Sequence, residues 1–373
     1  MCHSIEHFFC HNIDCPEYGL RNKNNLRYEG FSGKKKQIRM IRCTTCRARF
    51  SERKGTVLEH CRLPKAKALG VLDHLREGCG TQSTGRLMRV SNNAVTRLAR
   101  KAGAHAQQSH EEHVAFSPKT REVQFDEKWS FVAKKEKNCD VNHVLDKGKG
   151  DQWDHTAIDA ETRLMISVVV GRRTLKSCVT LVQAVKDKTQ GRTDMFFTTD
   201  EHAPYKTAIS KVYQLPSESH RDNINESSNE AKEKLPADLC YATIRKVRKQ
   251  GRIIEVISTL VFGILGLLTG YLTRSSVSNT INTSFVERQN GTDRAQNSRK
   301  RRKTYGFSKK MDVHQATTFF TLYSYNFCWP VRTLAIQNGP KKMKRTPAMA
   351  AGLTDHIWAI EEWVTYPMLM NSQ

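Results

Sequence analysis

The sequence predicts an α/β domain preceded by a cysteine-rich module and a helical segment, on three observations. From Arg121 onward, apolar runs rich in β-branched and aromatic residues alternate with a stretch at helical spacing, the order that builds a mixed sheet flanked by helices. Upstream, residues 63–108 are dominated by helical patterns. The first 62 residues are basic, loop-like and poor in apolar side chains, but hold two short-spaced cysteine pairs.

Those pairs are Cys10-x4-Cys15 and Cys43-x2-Cys46, and "RYEGFSGKKKQIRMIRC" between them reads as a strand hairpin. Four thiolates converging at a hairpin end can form the closed tetrahedron of a structural Zn²⁺ site. Free buried thiols would explain neither the pairing nor the thin apolar content, and metal binding would then fold the module. His3, His7, His11, His60 and Cys61 are possible substitutes in the set. The remaining Cys79, Cys139, Cys178, Cys240 and Cys328 are scattered and read as small buried residues. Eleven cysteines in a long chain whose start lacks a secretory pattern suit a reducing, cytoplasmic setting.

The helical segment parses as three helices. Pro64 and Lys65 open the first, Gly78 to Gly80 end it, "TQSTGRLMRV" makes a short second, and Ser91 caps "NNAVTRLARKAG" as the third. This is the length pattern of a helix-turn-helix, whose last helix would read base edges in the major groove. Asn92, Asn93, Thr96, Arg97 and Arg100 lie on its exposed side, while Val95, Leu98 and Ala99 pack inward. Asn and Arg suit bidentate contacts to adenine and guanine. A plain three-helix bundle is the competing reading.

In the α/β region, "EVQFDEKWSFVA", "DHTAIDA", "LMISVVVG" and "DMFFTTD" read as strands and residues 174–188 as a helix. Residues 134–151 and 215–236 read as polar insertions. The uncharged 17-residue run 256–272 is short for a membrane span and carries three glycines, so it reads as a buried strand leading into a short helix. After 310, "HQATTFFTLYSYNFCWPVRTL" reads as a core helix ending at Trp329-Pro330, with Phe319, Phe320, Tyr323 and Phe327 packing inside.

Three acids stand out. Asp126 lies within an apolar strand, where an unpaired carboxylate is costly to bury. Asp200 ends a strand, where sites in α/β sheets gather. Glu287 heads a run containing Arg288, Arg294, Arg299, Lys300, Arg301, Arg302 and Lys303. Three such carboxylates brought together need divalent cations, and a pair of Mg²⁺ (or Mn²⁺) ions would activate water or a 3′-hydroxyl for in-line phosphoryl displacement. Pattern alone does not choose between Asp126 and Glu127 or between Asp200 and Glu201, and Asp151, Asp154 and Asp159 stay in reserve. The formal charge of +24 calls for a polyanionic partner, with nucleic acid the first candidate.

The ordered set C-x4-C…C-x2-C, helix-turn-helix, "FDEKWSF", "TTDEHAPY" and "TSFVERQNGTDR…RKTYGFSK" resembles bacterial insertion-sequence transposases of the DDE type, near the insertion-sequence-one-like group. "YSYNFCWPVRTL…RTPAMAAGLTDHIW" resembles the C-terminal part of the same proteins, so the likeness covers nearly the whole chain. It implies a zinc-ribbon-like module over 1–62, a helix-turn-helix over 63–108, a ribonuclease-H-like catalytic domain over 121–330 with an insertion between Asp200 and Glu287, and a tail over 331–373. Asp126, Asp200 and Glu287 take the metal-binding DDE roles. Arg294 stands where the family often carries Lys, keeping the charge with a different hydrogen-bonding shape.

The function implied is end recognition on double-stranded DNA followed by cleavage and strand transfer. The basic residues Arg288, Arg299, Arg301, Arg302 and Lys303 would hold phosphates. A homo-oligomer in the DNA complex, a bacterial nucleoid-associated location and no membrane role complete the expectation. The competing reading is a DNA-binding regulator on a catalytically inert transposase scaffold.

Overall fold

The computed structural model describes residues 4–33, 37–114, 120–140, 142–215 and 234–369. From the N-terminus, β1 (Leu26–Ser32), β2 (Ile38–Cys43) and β3 (Arg49–Ser51) precede α1 (Lys65–Arg76), α2 (Thr81–Met88) and α3 (Asn92–His113). Next come β4 (Glu122–Val132), β5 (Gly150–Asp159), β6 (Met165–Gly171), α4 (Leu175–Lys188), β7 (Phe196–Asp200), α5 (Pro204–Tyr213), β8 (Cys240–Lys249), β9 (Arg252–Phe262) and α6 (Leu265–Arg274). The last elements are α7 (Ser284–Gln296), α8 (Met311–Cys328), β10 (Val331–Asn338), β11 (Lys341–Arg345), α9 (Pro347–Ala350) and α10 (Ile360–Thr365).

Two compact units result, one of Met1–His113, Asp293–Met349 and Thr354–Gln373, the other of Val114–Thr292 and Ala350–Leu353. In the first, β1, β2 and β3 form an antiparallel sheet over a small core of Phe8, Ile41 and Phe50, with Leu26 partly buried against it. The helix α3 begins where Ser91 Oγ accepts from the Ala94 amide at 3.2 Å, buries Val95, Leu98 and Ala99, and runs on to His113. It packs along α8 so closely at Gly103 that a side-chain carbon there would collide with the Ala316 backbone. Buried almost all round, α8 encloses Phe320, Tyr323 and Phe327 along with polar residues such as His314 and Asn326. The boundary drawn from sequence at residue 330 grouped α8 with the sheet; in the structure it belongs to the first unit. So does much of the tail: Trp363 of α10 is buried near Phe320, and Val57 N donates to Val364 O at 3.1 Å.

The second unit holds a six-stranded sheet ordered β6-β5-β4-β7-β8-β9 among the described residues. β4, β5 and β6 run antiparallel, β7 joins β4 and β8 in parallel, and β9 returns antiparallel. The parallel pairings need crossovers, supplied by α4 and α5. On one face Val123, Phe125, Ala157 and Phe197 pack against Leu181, Val182, Ala208 and Ile209 of those helices. On the other, Phe196, Cys240 and Ala242 pack against Leu268 and Tyr271 of α6. The mixed α/β class expected from sequence is thus present.

The run 256–272 becomes strand then helix as expected, but β9 is not buried. It is an edge strand, with Ile254 at 60% and Val256 at 53% exposure. No helix among the described residues is long and apolar enough to cross a membrane. Residues 216–233 of the second polar insertion lie outside the described residues.

Candidate active site and metal centre

Backbone pairing between β4 and β7 covers Glu122↔Phe196, Val123↔Phe197 and Gln124↔Thr198 and then stops, while β4 continues to Val132 against β5 alone. Two residues further along that register stand Asp126 and Asp200, level with each other where the strands part. A gap of this kind beside the carboxyl end of a parallel strand is where α/β sheets place their sites. Asp126, Glu127 and Asp200 each bring a carboxylate oxygen within 4.8 Å of the others. Burial, then the charge of Asp200, pushes Asp126 up to about 6. Glu127 is pushed up to about 8 by the same two causes. Such a cluster of oxygens suits a hard divalent cation.

The helix α7 is pinned along the same face of β4. Gln124 Oε1 accepts from the Phe285 and Val286 amides at 3.0 and 3.2 Å, capping orphan donors at the helix start. Two residues along the strand, Asp126 Oδ2 accepts from Asn290 Nδ2 at 2.7 Å. The two anchors are spaced about 7 Å apart on strand and helix alike, so the elements run side by side. Between them lies Glu287, whose Oε1 accepts from Thr283 Oγ1 at 2.7 Å and is ion-paired with Lys246 of β8.

The structure therefore brings Asp126 and Asp200 together, with Glu127 as their third neighbour. It sets Glu287 on the helix bonded to Asp126, where Lys246 engages its carboxylate. Arg294 lies two turns further along α7 and is half-buried.

Sequence reasoning missed Gln124, Lys246 and Asn290, and gave Glu127 no role. Only alternation along β4 hinted at Gln124, since positions 124 and 126 share a face. Glu127 lies on the opposite face, with His202 Nε2 at 3.2 Å and Arg173 Nε at 3.7 Å. The reserve acids have partners of their own: Asp154 a buried Lys128 at 3.3 Å, Asp159 the Thr120 hydroxyl at 3.0 Å, and Asp151 the Glu136 amide at 3.0 Å. Glu201 pairs with Arg245 at 3.5 Å.

Gln124→Leu keeps volume but strands the buried Val286 amide and the half-buried Phe285 amide, and is expected to cost about 2–4 kcal/mol. Thermal melting reads this directly; an unchanged melting temperature would mean that α7 is held by other contacts.

A pH dependence follows from the buried acids. Burial also pushes Glu122 up to about 7, although Gln124 Nε2 donates to it at 2.8 Å. For Glu122, Asp126 and Glu127 the folded-state pKa lies above the ordinary value, so their contribution to stability is intact at low pH and is lost as pH rises through about 6 to 8. The metal-free protein is expected to melt at falling temperature from about pH 5 to about pH 8. Added Mg²⁺ should recover part of the loss at the upper end by binding the ionised form. Melts across pH with and without Mg²⁺ check both.

In the first unit, the Sγ atoms of Cys10, Cys15, Cys43 and Cys46 lie within 4.8 Å of one another. Cys10 and Cys46 are 3.5 Å apart and Cys15 and Cys43 4.0 Å, bracketing the edge of about 3.8 Å that a tetrahedron with Zn–S bonds of about 2.3 Å requires. Burial raises the Cys10 and Cys15 thiols, whereas the Ala48 amide holds Cys46 down at about 6. The set is compatible with zinc, which would compensate four converging thiolates. No histidine joins it among the described residues, and His3 lies outside them.

Asn92, Asn93 and Arg97 stand exposed at the start of α3, with Thr96 and Arg100 half-buried and Arg100 Nε on Asp312 at 2.5 Å. Arg288, Arg301, Arg302 and Lys303 are exposed, and Arg299 donates to Thr81 Oγ1 at 2.8 Å.

No protein-family model and no curated protein matches the chain. Among solved structures it is similar to the Mos1 transposase paired-end complex with left transposon end, at 17% identity over 40% of this chain and 56% of that one, with a TM-score of 0.16. It is similar also to the Mos1 strand transfer complex, at 15% identity over 40% and 55% of the two chains and a TM-score of 0.17. The mariner Mos1 paired end complex with Mg follows at 18%, 39%, 54% and 0.16 in the same order. The chain thus spans little more than half the length of these proteins, and likeness of this degree carries no argument about what it does.

Proposed function

We propose that this chain is a DDE-type DNA transposase of the insertion-sequence-one-like group. In this reading the zinc-ribbon-like module and the helix-turn-helix recognise the inverted-repeat ends of its own element on double-stranded DNA. A ribonuclease-H-like domain, with which the mixed sheet is consistent, cuts a phosphodiester and joins the exposed 3′-hydroxyl to target DNA. The observation that carries the reading is the meeting of Asp126 and Asp200 where β4 and β7 part, with α7 and its Glu287 tied across the same face.

Bound Mg²⁺ or Mn²⁺ would supply Lewis-acid activation of the attacking oxygen and charge stabilisation at the leaving one. Asp126 and Asp200 would hold the cation, Asn290 orients Asp126, and Lys246 holds the Glu287 carboxylate. Arg294 and the basic residues from Arg288 to Lys303 face the phosphates. The protein works as a homo-oligomer that pairs two ends, in the bacterial cytoplasm at the nucleoid.

The test is cleavage of a plasmid carrying the DNA that flanks the gene. Nicks with free 3′-hydroxyls at the element boundary, present with Mg²⁺ or Mn²⁺ and lost without divalent metal, are the expected result. Specific binding of those flanks without cutting in either metal would replace the reading with the regulator, which the Lys246–Glu287 ion pair would then keep permanently inert.

A further inference from the structure

The first unit contains a cleft of about 830 Å³, lined in part by the first turns of α3 that the end-recognition reading sets on DNA. Its walls are the start of α2, the first turns of α3 and the segment 298–310. Arg97, Arg100, Arg299, Lys309 and Lys310 line it, Arg100 being ion-paired with Asp312 just outside the lining. Arg299 fastens the segment to α2 through Thr81. A duplex receives protein into its grooves and does not fill a protein cleft. A concavity of this size falls within the range of about 300–1,000 Å³ that encloses a small organic ligand.

Tyr305, in the cleft lining, is 98% exposed and has no hydrogen-bond or ring partner among the described residues. The other lining aromatic, Phe307, already carries the Lys309 ammonium over its ring. A bare aromatic face among cations, beside the amides of Asn92 and Asn93, is the combination that holds an unpaired nucleotide: the ring stacks on the base and the cations take the phosphates.

We propose that this cleft binds an unpaired nucleotide of a DNA strand end, with Tyr305 as its stacking platform. The inference rests on the nucleic-acid reading above and deepens it, since a strand end frayed or exposed at a cut supplies such a nucleotide.

The test uses the full chain without divalent metal and three fluorescent probes: a blunt duplex, the same duplex with a short 3′ single-stranded extension, and a short oligothymidylate. The extended duplex is expected to bind more tightly than the blunt one. Tyr305→Ala should weaken binding of the extended duplex and the oligothymidylate by about 5- to 100-fold, and Tyr305→Phe should restore it. Binding of the blunt duplex should not change. Equal affinity for blunt and extended probes, equal losses on both in the alanine variant, no loss at all, or no binding of any probe would each overturn the proposal. Because no cleavage is read, a protein that never cuts DNA can still show the Tyr305 dependence, and one that cuts can lack it.

Discussion

Asp126→Asn is expected to lower metal-dependent strand cleavage by about 10³-fold or more while leaving the protein at least as stable as before. The rate loss follows from removing a cation ligand, since metal-ion stabilisation of phosphoryl transfer is worth several kcal/mol and about 4 kcal/mol corresponds to 10³. The stability gain follows from burial. Asp126 is raised to about 6 first by desolvation and then by Asp200, so at pH 8 the folded protein carries a charge it would rather lose. Asparagine removes that charge and keeps one of the two hydrogen bonds, its carbonyl oxygen accepting from Asn290 or from the Glu127 amide, so the lost bond offsets part of the gain. A gain of about 1–3 kcal/mol is expected at pH 8, shrinking toward zero near pH 5. A variant that lost activity and stability together would make Asp126 a structural acid, and one that kept activity would remove the two-metal reading.

Cys43→Ser is expected to unfold the cysteine module locally. Its small sheet buries little beyond Phe8, Ile41 and Phe50, too little to hold a segment of this length without a staple. Structural zinc contributes folding free energy of roughly 10–16 kcal/mol in small zinc peptides. Amide exchange across β1 and β2 should therefore accelerate by about 10³-fold or more, with bound zinc lost and α3 and α8 still protected. Cys61→Ser, outside the thiol cluster, should retain zinc and exchange as the parent does. Slow exchange in metal-stripped protein would show that packing alone holds the module, as the hydrogen bond from Val57 to Val364 begins to do.

Much of the site was legible because its signals are local. Two cysteine pairs announce themselves by spacing, and a carboxylate inside an apolar strand is conspicuous wherever it folds. Ser91 before α3 and Pro330 after α8 mark helix ends by steric and hydrogen-bonding rules that need no partner. The strand β8 was not legible, since "CYATIRKVRK" carries a basic residue at four of its ten positions and becomes a strand by pairing with β7 and β9. The exposure of β9 was equally hidden, because apolar content does not say which strand ends up at an edge.

Taken alone, the sequence determined the mixed α/β class, the elements carrying Asp126, Asp200 and Glu287, the cysteine set and the basic character that calls for a polyanion. Each depends on residue type and on neighbours a few positions away. Only the tertiary structure decided that β4 and β7 part beside Asp126, that Gln124 and Asn290 pin α7 there, that Lys246 engages Glu287, and that residues 298–310 wall a cleft with α2 and α3. Those are contacts between residues dozens to hundreds of positions apart. They arise when buried polar groups must find partners as the chain closes, and no local periodicity encodes which partner that will be.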